Sequence, residues 1–251
     1  MRELTKKILP LKKNDEMKKL VLAIALSALP LLAFSQTQTS PSDEDAADEF
    51  VLSHLYKFDE FTTGNVSFDR DADARDAAGN PISLQPAQGT INLNLLHQCV
   101  VMIDGRDTIP LLLENYVTRL SVGKRLFFKI KGRYYEMLEY GDAILAECEL
   151  LKSFEAGKTG AYGTVSATAS ISNVGSLADF SIHDLSPDLN LKYTWEKYPV
   201  FIVDDKVAIL NEKQLCKMFK KKADEIKAFF AERQPDMYDM AAAKELYQII
   251  K

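Results

Sequence analysis

The sequence predicts an α+β fold, mostly β: an antiparallel meander curling into a barrel, half-barrel or sandwich, with two C-terminal helices. Three observations predict it. From Gly64 to Leu151, short runs rich in β-branched, Leu and aromatic residues alternate with turn residues. Those turns are short, so the strands they join are expected to be antiparallel neighbours. After Asn211 the apolar residues recur at steps of three and four, the spacing of one helix face.

The first residues read as an export signal. Lys18 and Lys19 form a basic start, Leu20 to Leu32 is an apolar run, and Ala33-Phe34-Ser35 puts small residues at the two positions a signal peptidase reads. Cleavage is therefore expected between Ser35 and Gln36, leaving an exported, periplasmic or extracellular chain. The apolar run is interrupted by Pro30 and falls short of the roughly 20 residues a membrane-spanning helix needs, so no span is expected after processing. Met1 to Glu16 has no place in such a signal, which makes Met17 the expected true start. A lipid anchor would need a cysteine at the cleavage point, and the first is Cys99.

The domain organisation follows: a signal over 1–35, a disordered leader over 36–49, a β domain over 50–210, and a helical pair over 211–251 docked on it. The leader is Gln, Thr, Ser, Pro and acid, with almost nothing to bury. Phe50, Val51, Leu52, Leu55, Tyr56 and Phe58 then give one or two helical turns laid on the sheet. Strands are predicted over 64–68, 90–95, 99–103, 108–113, 116–122, 125–131, 133–140 and 143–154. The expected turns are Asp104-Gly105, Glu114-Asn115, Gly123-Lys124, Lys131-Gly132 and Tyr140-Gly141-Asp142. In Thr90 to Leu95 apolar and polar residues alternate, the pattern of a sheet wet on one face. Residues 158–190 are small and weakly apolar and read as a mobile loop in which Tyr162 and His183 are the strong contact groups. A hairpin from Leu191 to Leu210 turns at Asp204-Asp205-Lys206. Asn211 caps a helix over 212–232 whose stripe of Leu215, Phe219, Ile226 and Phe230 is expected to dock on the β domain. A second helix follows Pro235, capped by Asp236, with Met240, Ala243, Leu246, Tyr247 and Ile250 on one face.

The chain carries 31 Lys and Arg against 36 Asp and Glu, a net charge of −5. Removing residues 1–35, which hold more basic than acidic residues, makes it more acidic still. An acidic chain without a basic stripe argues against nucleic acid as a partner. Cys99, Cys148 and Cys216 are odd in number and far apart, so free buried thiols are favoured over a disulfide framework.

Few residues offer chemistry. Asp69-Arg70-Asp71-Ala72-Asp73 matches three places of a calcium loop, but Ala74 stands where Gly makes the turn and Asn80 where a bidentate Glu belongs, so a solvated acidic loop is expected. His54, His97 and His183 have no ligand spacing. His183-Asp184 near Ser181 has the residue types of a hydrolase triad without the Gly-x-Ser-x-Gly elbow. The Lys217, Lys220, Lys221 and Lys222 cluster reads as a solvated helix face. Glu136, Glu139, Glu147 and Glu149 fall on two paired strands, as a glycosidase would require, and are expected to be exposed. No catalytic residue, cofactor or metal is assigned.

Ala33-Phe34-Ser35-Gln36, the stretch Thr-Ile-Asn-Leu-Asn-Leu-Leu at 90–96, Ile103-Asp104-Gly105 with Asp107-Thr108, and Gly160-Ala161-Tyr162-Gly163 together resemble an uncharacterised exported protein family of Bacteroidetes. The resemblance implies compartment and fold and transfers no site. Two functions are carried forward: a non-enzymatic envelope or secreted module, binding or structural, and a glycan- or peptide-directed hydrolase using carboxylates on the sheet face. A cleft with convergent carboxylates would favour the second, a filled core with shallow surfaces the first.

Overall fold

The computed structural model describes residues 37–39, 44–75, 78–111, 113–154 and 185–251. The expected signal with its Ser35–Gln36 cleavage point lies outside the described residues, as do Tyr162, Ser181, His183 and Asp184. Eleven described strands form one antiparallel sheet: β1 (Thr37–Thr39), β2 (Thr62–Phe68), β3 (Ala87–Asn94), β4 (Cys99–Asp104), β5 (Asp107–Pro110), β6 (Val117–Val122), β7 (Arg125–Ile130), β8 (Arg133–Tyr140), β9 (Ile144–Phe154), β10 (Lys192–Val203) and β11 (Lys206–Ile209). Helix α1 (Glu44–Ser53) precedes β2, and α2 (Glu212–Met218), α3 (Ala223–Arg233) and α4 (Met240–Ile250) follow β11. The fold is α+β and mostly β, with an open sheet rather than a closed barrel.

The spatial order is β1-β10-β9-β8-β7-β6-β2-β3-β4-β5, with β11 also on β10. It departs from a simple meander at two places: β1 pairs with β10, and β2 pairs with β6. β6 pairs with β2 and not with β5, so β2 is held between β3 and β6. The expected hairpin at Glu114-Asn115 is therefore not one: Glu114–Tyr116 is a 3-10 turn that carries the chain back to β2, and Glu114 is buried there. The other turns fall where they were read. At Lys131-Gly132 both residues have positive φ, 50° and 76°, the pair of left-handed conformations that matches strand twist in a two-residue hairpin.

Inner-face side chains from β2 to β10, among them Val66, Ile91, Leu93, Leu120, Phe127, Tyr134, Leu151 and Tyr193, meet in one core. The curl brings the end of β3 round to β9, where the Leu151 N–H donates to the Leu95 carbonyl at 3.1 Å. On the outer face Tyr135, Cys148, Tyr198, Val200 and Ile202 form a second core. The alternation in Thr90 to Leu95 does not give a wet face, because Ile91 through Leu95 are all buried, Asn92 and Asn94 included.

The expectation of a disordered leader over 36–49 is corrected at two places. Thr37–Thr39, within the span expected to be disordered, pairs with Thr194–Glu196 of β10, and Glu44–Glu49 is the first part of α1. The acid-rich start of α1 suits a helix N-terminus, where the macrodipole favours negative charge.

The C-terminal region has three helices rather than two. The Asn211 side chain accepts from the Gln214 N–H, as expected of the cap, but the helix breaks at Phe219, whose φ of −108° and ψ of 63° are not helical. Its ring meets the edge of Phe201, with centroids 6.4 Å apart. The stripe does dock: Leu215 and Ile226 are fully buried against a cluster that includes Leu145 and Phe201, while Phe219 and Phe230 are half-buried. Helix α4 is capped by Asp239, which accepts from the Ala242 N–H at 2.9 Å; Asp236 instead accepts from Tyr238 in the turn before it.

Gly64 shows how closely β2 is held. A Cβ there would overlap the Ile91 side chain and come within 2.8 Å of the Ser121 carbonyl on β6, and backbone cannot move aside as a side-chain tip can. Gly64→Ala is expected to cost about 1–3 kcal/mol in urea denaturation, the range for overpacking. A neutral result would mean that β2 and β6 are less tightly paired than described.

Candidate functional site: a buried network around Lys57

Sheet register sets the site. Glu136 on β8 stands directly opposite Glu147 on β9, and Glu149, two residues on, shares their face. Lys197 on β10 pairs with Glu149. On β7, Phe127 pairs with Glu136, which puts Arg125 on the same face one step along. Like charges directly opposite destabilise a sheet, so this arrangement needs cations.

The segment after α1 supplies the central one. The Lys57 N–H donates to the Leu93 carbonyl at 2.9 Å and the Leu95 N–H to the Leu55 carbonyl at 2.8 Å, so residues 55–57 lie along the end of β3. Asn92 clamps the next residue, accepting from the Phe58 N–H at 3.1 Å and donating to its carbonyl at 2.7 Å. Asn92 is thus satisfied by backbone where water was expected. The Lys57 side chain, 4% exposed, reaches Glu149 in a short ion pair, Glu136 at 3.2 Å and Glu147 at 3.6 Å. Arg125 grips Glu136 with two parallel bonds of 2.6 and 2.5 Å, and Lys197 meets Glu147 at 2.9 Å. The Trp195 indole N–H donates to Glu149 at 3.1 Å, and its ring lies 5.1 Å from that of His54, which ties α1 to the network.

Three carboxylates thus face three cations. Burial alone would lower the Lys57 pKa, but the Glu149 charge and hydrogen bond, with Glu136 and Glu147 behind them, hold it above 10.5. Burial alone would raise the Glu136 carboxyl; the Arg125 hydrogen bonds and the Lys57 and Arg125 charges outweigh that and hold it below its ordinary value. The gap between Lys57, Leu93, Leu95, Phe127, Tyr134 and the three glutamates is too narrow to admit a water molecule.

The expectation that these glutamates are exposed is therefore overturned for Glu136, Glu147 and Glu149. Glu139 is half-buried outside the network and accepts a hydrogen bond from Gln248, and Tyr140 is 77% exposed. Lys57, Arg125 and Lys197 were not singled out from the sequence, which carries no local signal for them.

A second buried carboxylate stands nearby on the inner face. Glu114 accepts from the Val100 N–H at 2.9 Å, the Tyr134 hydroxyl at 2.6 Å and the Lys129 ammonium at 2.5 Å. Burial still outweighs these donors and raises its pKa. Burial, with the Glu114 charge, pushes the Cys99 thiol up to about 12, and burial takes Cys148 to about 11; all three cysteines are free.

The remaining candidates are dispersed. Asp69 accepts from the Asp71 N–H and Asp73 pairs with Arg75 in an exposed loop. His54, just past the end of α1, bonds the Phe50 carbonyl of its last turn. Among the described residues no group of His, Cys, Asp and Glu is placed to hold a metal ion, and no helix is long and apolar enough to cross a membrane. On the outer face a cleft of about 470 Å³ opens between Thr118, Arg119, Phe128, the β7–β8 turn and Asp205.

Compared with family models, curated proteins and solved structures, the chain matches none.

Proposed function

We propose that the chain is an exported, non-catalytic module of the envelope or extracellular medium, binding or structural. The observation that carries this reading is the charge-balanced packing of Glu136, Glu147 and Glu149 around the buried Lys57, with no room for a ligand between them. A glycosidase acid must hold a proton near neutral pH, which takes a raised pKa, and a substrate must reach it. Glu136 has the opposite shift, and its oxygens are taken by Arg125 and Lys57. The convergence of the carboxylates is the one observation favouring the hydrolase, and its partners argue against it. Export is supported by the signal-like residues 17–35 and by the resemblance to exported proteins.

Two measurements test the reading. Mass spectrometry of protein recovered from the expressing cells is expected to find Gln36, or its cyclised form, at the amino terminus; a retained Met17 would overturn export. Screening against glycan and peptide substrates is expected to find no turnover, and a hydrolytic activity abolished in Glu136→Gln would overturn the non-catalytic reading.

A further inference from the structure

The outer-face cleft has a composition that the buried network lacks. Arg119 and Lys131 are exposed, and neither makes an ion pair with another described residue, whereas the cations of the inner face are matched to carboxylates. The Arg119 guanidinium lies 5.4 Å from the centre of the Phe128 ring, its cross-strand partner, which holds the charge along the cleft instead of letting it swing into solvent. Thr118, Lys129, Ile130 and Asp205 complete the lining, Lys129 with its ammonium already held by Glu114. Asp205 reaches the rim through a turn in which Asp204 and Asp205 both have positive φ, 47° and 59°. The volume, about 470 Å³, is that of a small-ligand site.

We infer that this cleft binds an acidic saccharide of the uronic acid type. The exposed charged and polar groups of the lining, Thr118, Arg119, Lys131 and Asp205, each have a counterpart in such a ligand. Its carboxylate suits Arg119 and Lys131, the first held in place over Phe128, and its hydroxyl groups donate to Asp205 and Thr118. An acidic peptide would satisfy the two cations but would set a second carboxylate against Asp205, and a neutral sugar would leave both cations unused. The inference rests on the reading of the chain as a binding module and gives that module its ligand class.

The test uses the mature chain and three probes: an oligogalacturonate, a neutral cello-oligosaccharide and a poly-glutamate peptide, each by isothermal titration. Oligogalacturonate alone is expected to bind, weakening with added salt. The Arg119→Ala and Lys131→Ala variants are expected to bind it about tenfold less well, the loss of one charge-assisted contact, with unchanged melting temperature because both side chains are exposed. No binding of oligogalacturonate, binding unaffected by either substitution, or preference for poly-glutamate or the neutral sugar would each overturn the ligand class. A hydrolysed probe would instead bring down the non-catalytic reading, so the two failures are distinguishable.

Discussion

Lys57→Met is expected to destabilise the protein by about 3–5 kcal/mol at neutral pH, the cost of leaving buried charge without its partner. The substitution keeps the length of the side chain and removes the ammonium, so Glu149 loses its cation and Glu136 and Glu147 face each other with only Arg125 and Lys197 at their flanks. The pH dependence follows from the two shifts. Glu136, held below its ordinary value, contributes stability that is present above the unfolded carboxylate range and is lost as pH falls through the lower folded pKa. Lys57, held above 10.5, contributes stability present below that value and lost as pH rises through the higher folded pKa. The wild-type contribution is therefore level between these limits, and the penalty of Lys57→Met shrinks on acidification as the carboxylates take up protons. Chemical denaturation across pH checks this. A penalty below about 1 kcal/mol at neutral pH would mean that the network behaves like an exposed ion pair. Adding Glu149→Gln to Lys57→Met is expected to recover part of the loss, since the two residues are in contact and their effects do not add.

Glu114→Ala is expected to cost a similar amount, about 3–5 kcal/mol, for a different reason. One carboxylate serves three donors from three elements. Its removal leaves the Lys129 ammonium, 6% exposed, with the carbonyl of residue 114 and the Tyr134 ring but no counter-charge, and leaves the Val100 N–H and Tyr134 hydroxyl without that acceptor. Glu114→Gln, which keeps an acceptor oxygen, is expected to fall between wild type and Ala. Cys99 offers an independent readout: its thiol, held near 12 by burial and the Glu114 charge, is expected to react with alkylating reagents only when this region opens, and faster in Glu114→Ala. Equal reactivity in the two proteins would show that Glu114 does not hold β4 in place.

The hairpin turns and the docking face of the helices were legible because each depends on residues close in sequence. Lys131-Gly132 and Asp204-Asp205 carry their own conformational signature, and Leu215 with Ile226 display a helical period whatever they pack on. What was not legible depends on what covers a face. The alternation at Ile91-Asn92-Leu93-Asn94 states which residues share a side, and nothing local says that residues 55–58 lie over it and satisfy Asn92 from their backbone. For the same reason Glu136, Glu147 and Glu149 read as a wet acidic strip: the residue that makes their burial tolerable is Lys57, which lies before the first long strand. Glu114-Asn115 has the composition of a hairpin turn, and only the pairing of β6 with β2 reveals it as a return crossing.

That crossing bears on the order of assembly. Every other pairing from β2 to β9 joins strands adjacent in sequence, so those hairpins can form with little loop entropy to overcome. The β2–β6 ladder, from Gly64 opposite Val122 to Phe68 opposite Val117, instead encloses β3, β4 and β5 entirely. Two local ribbons, β2 to β5 and β6 to β9, therefore gain their shared core only when they zip along β2, a non-local contact of the kind expected to slow folding. Substitutions in that seam are expected to slow folding in stopped-flow refolding, and changes in the outlying hairpins chiefly to quicken unfolding.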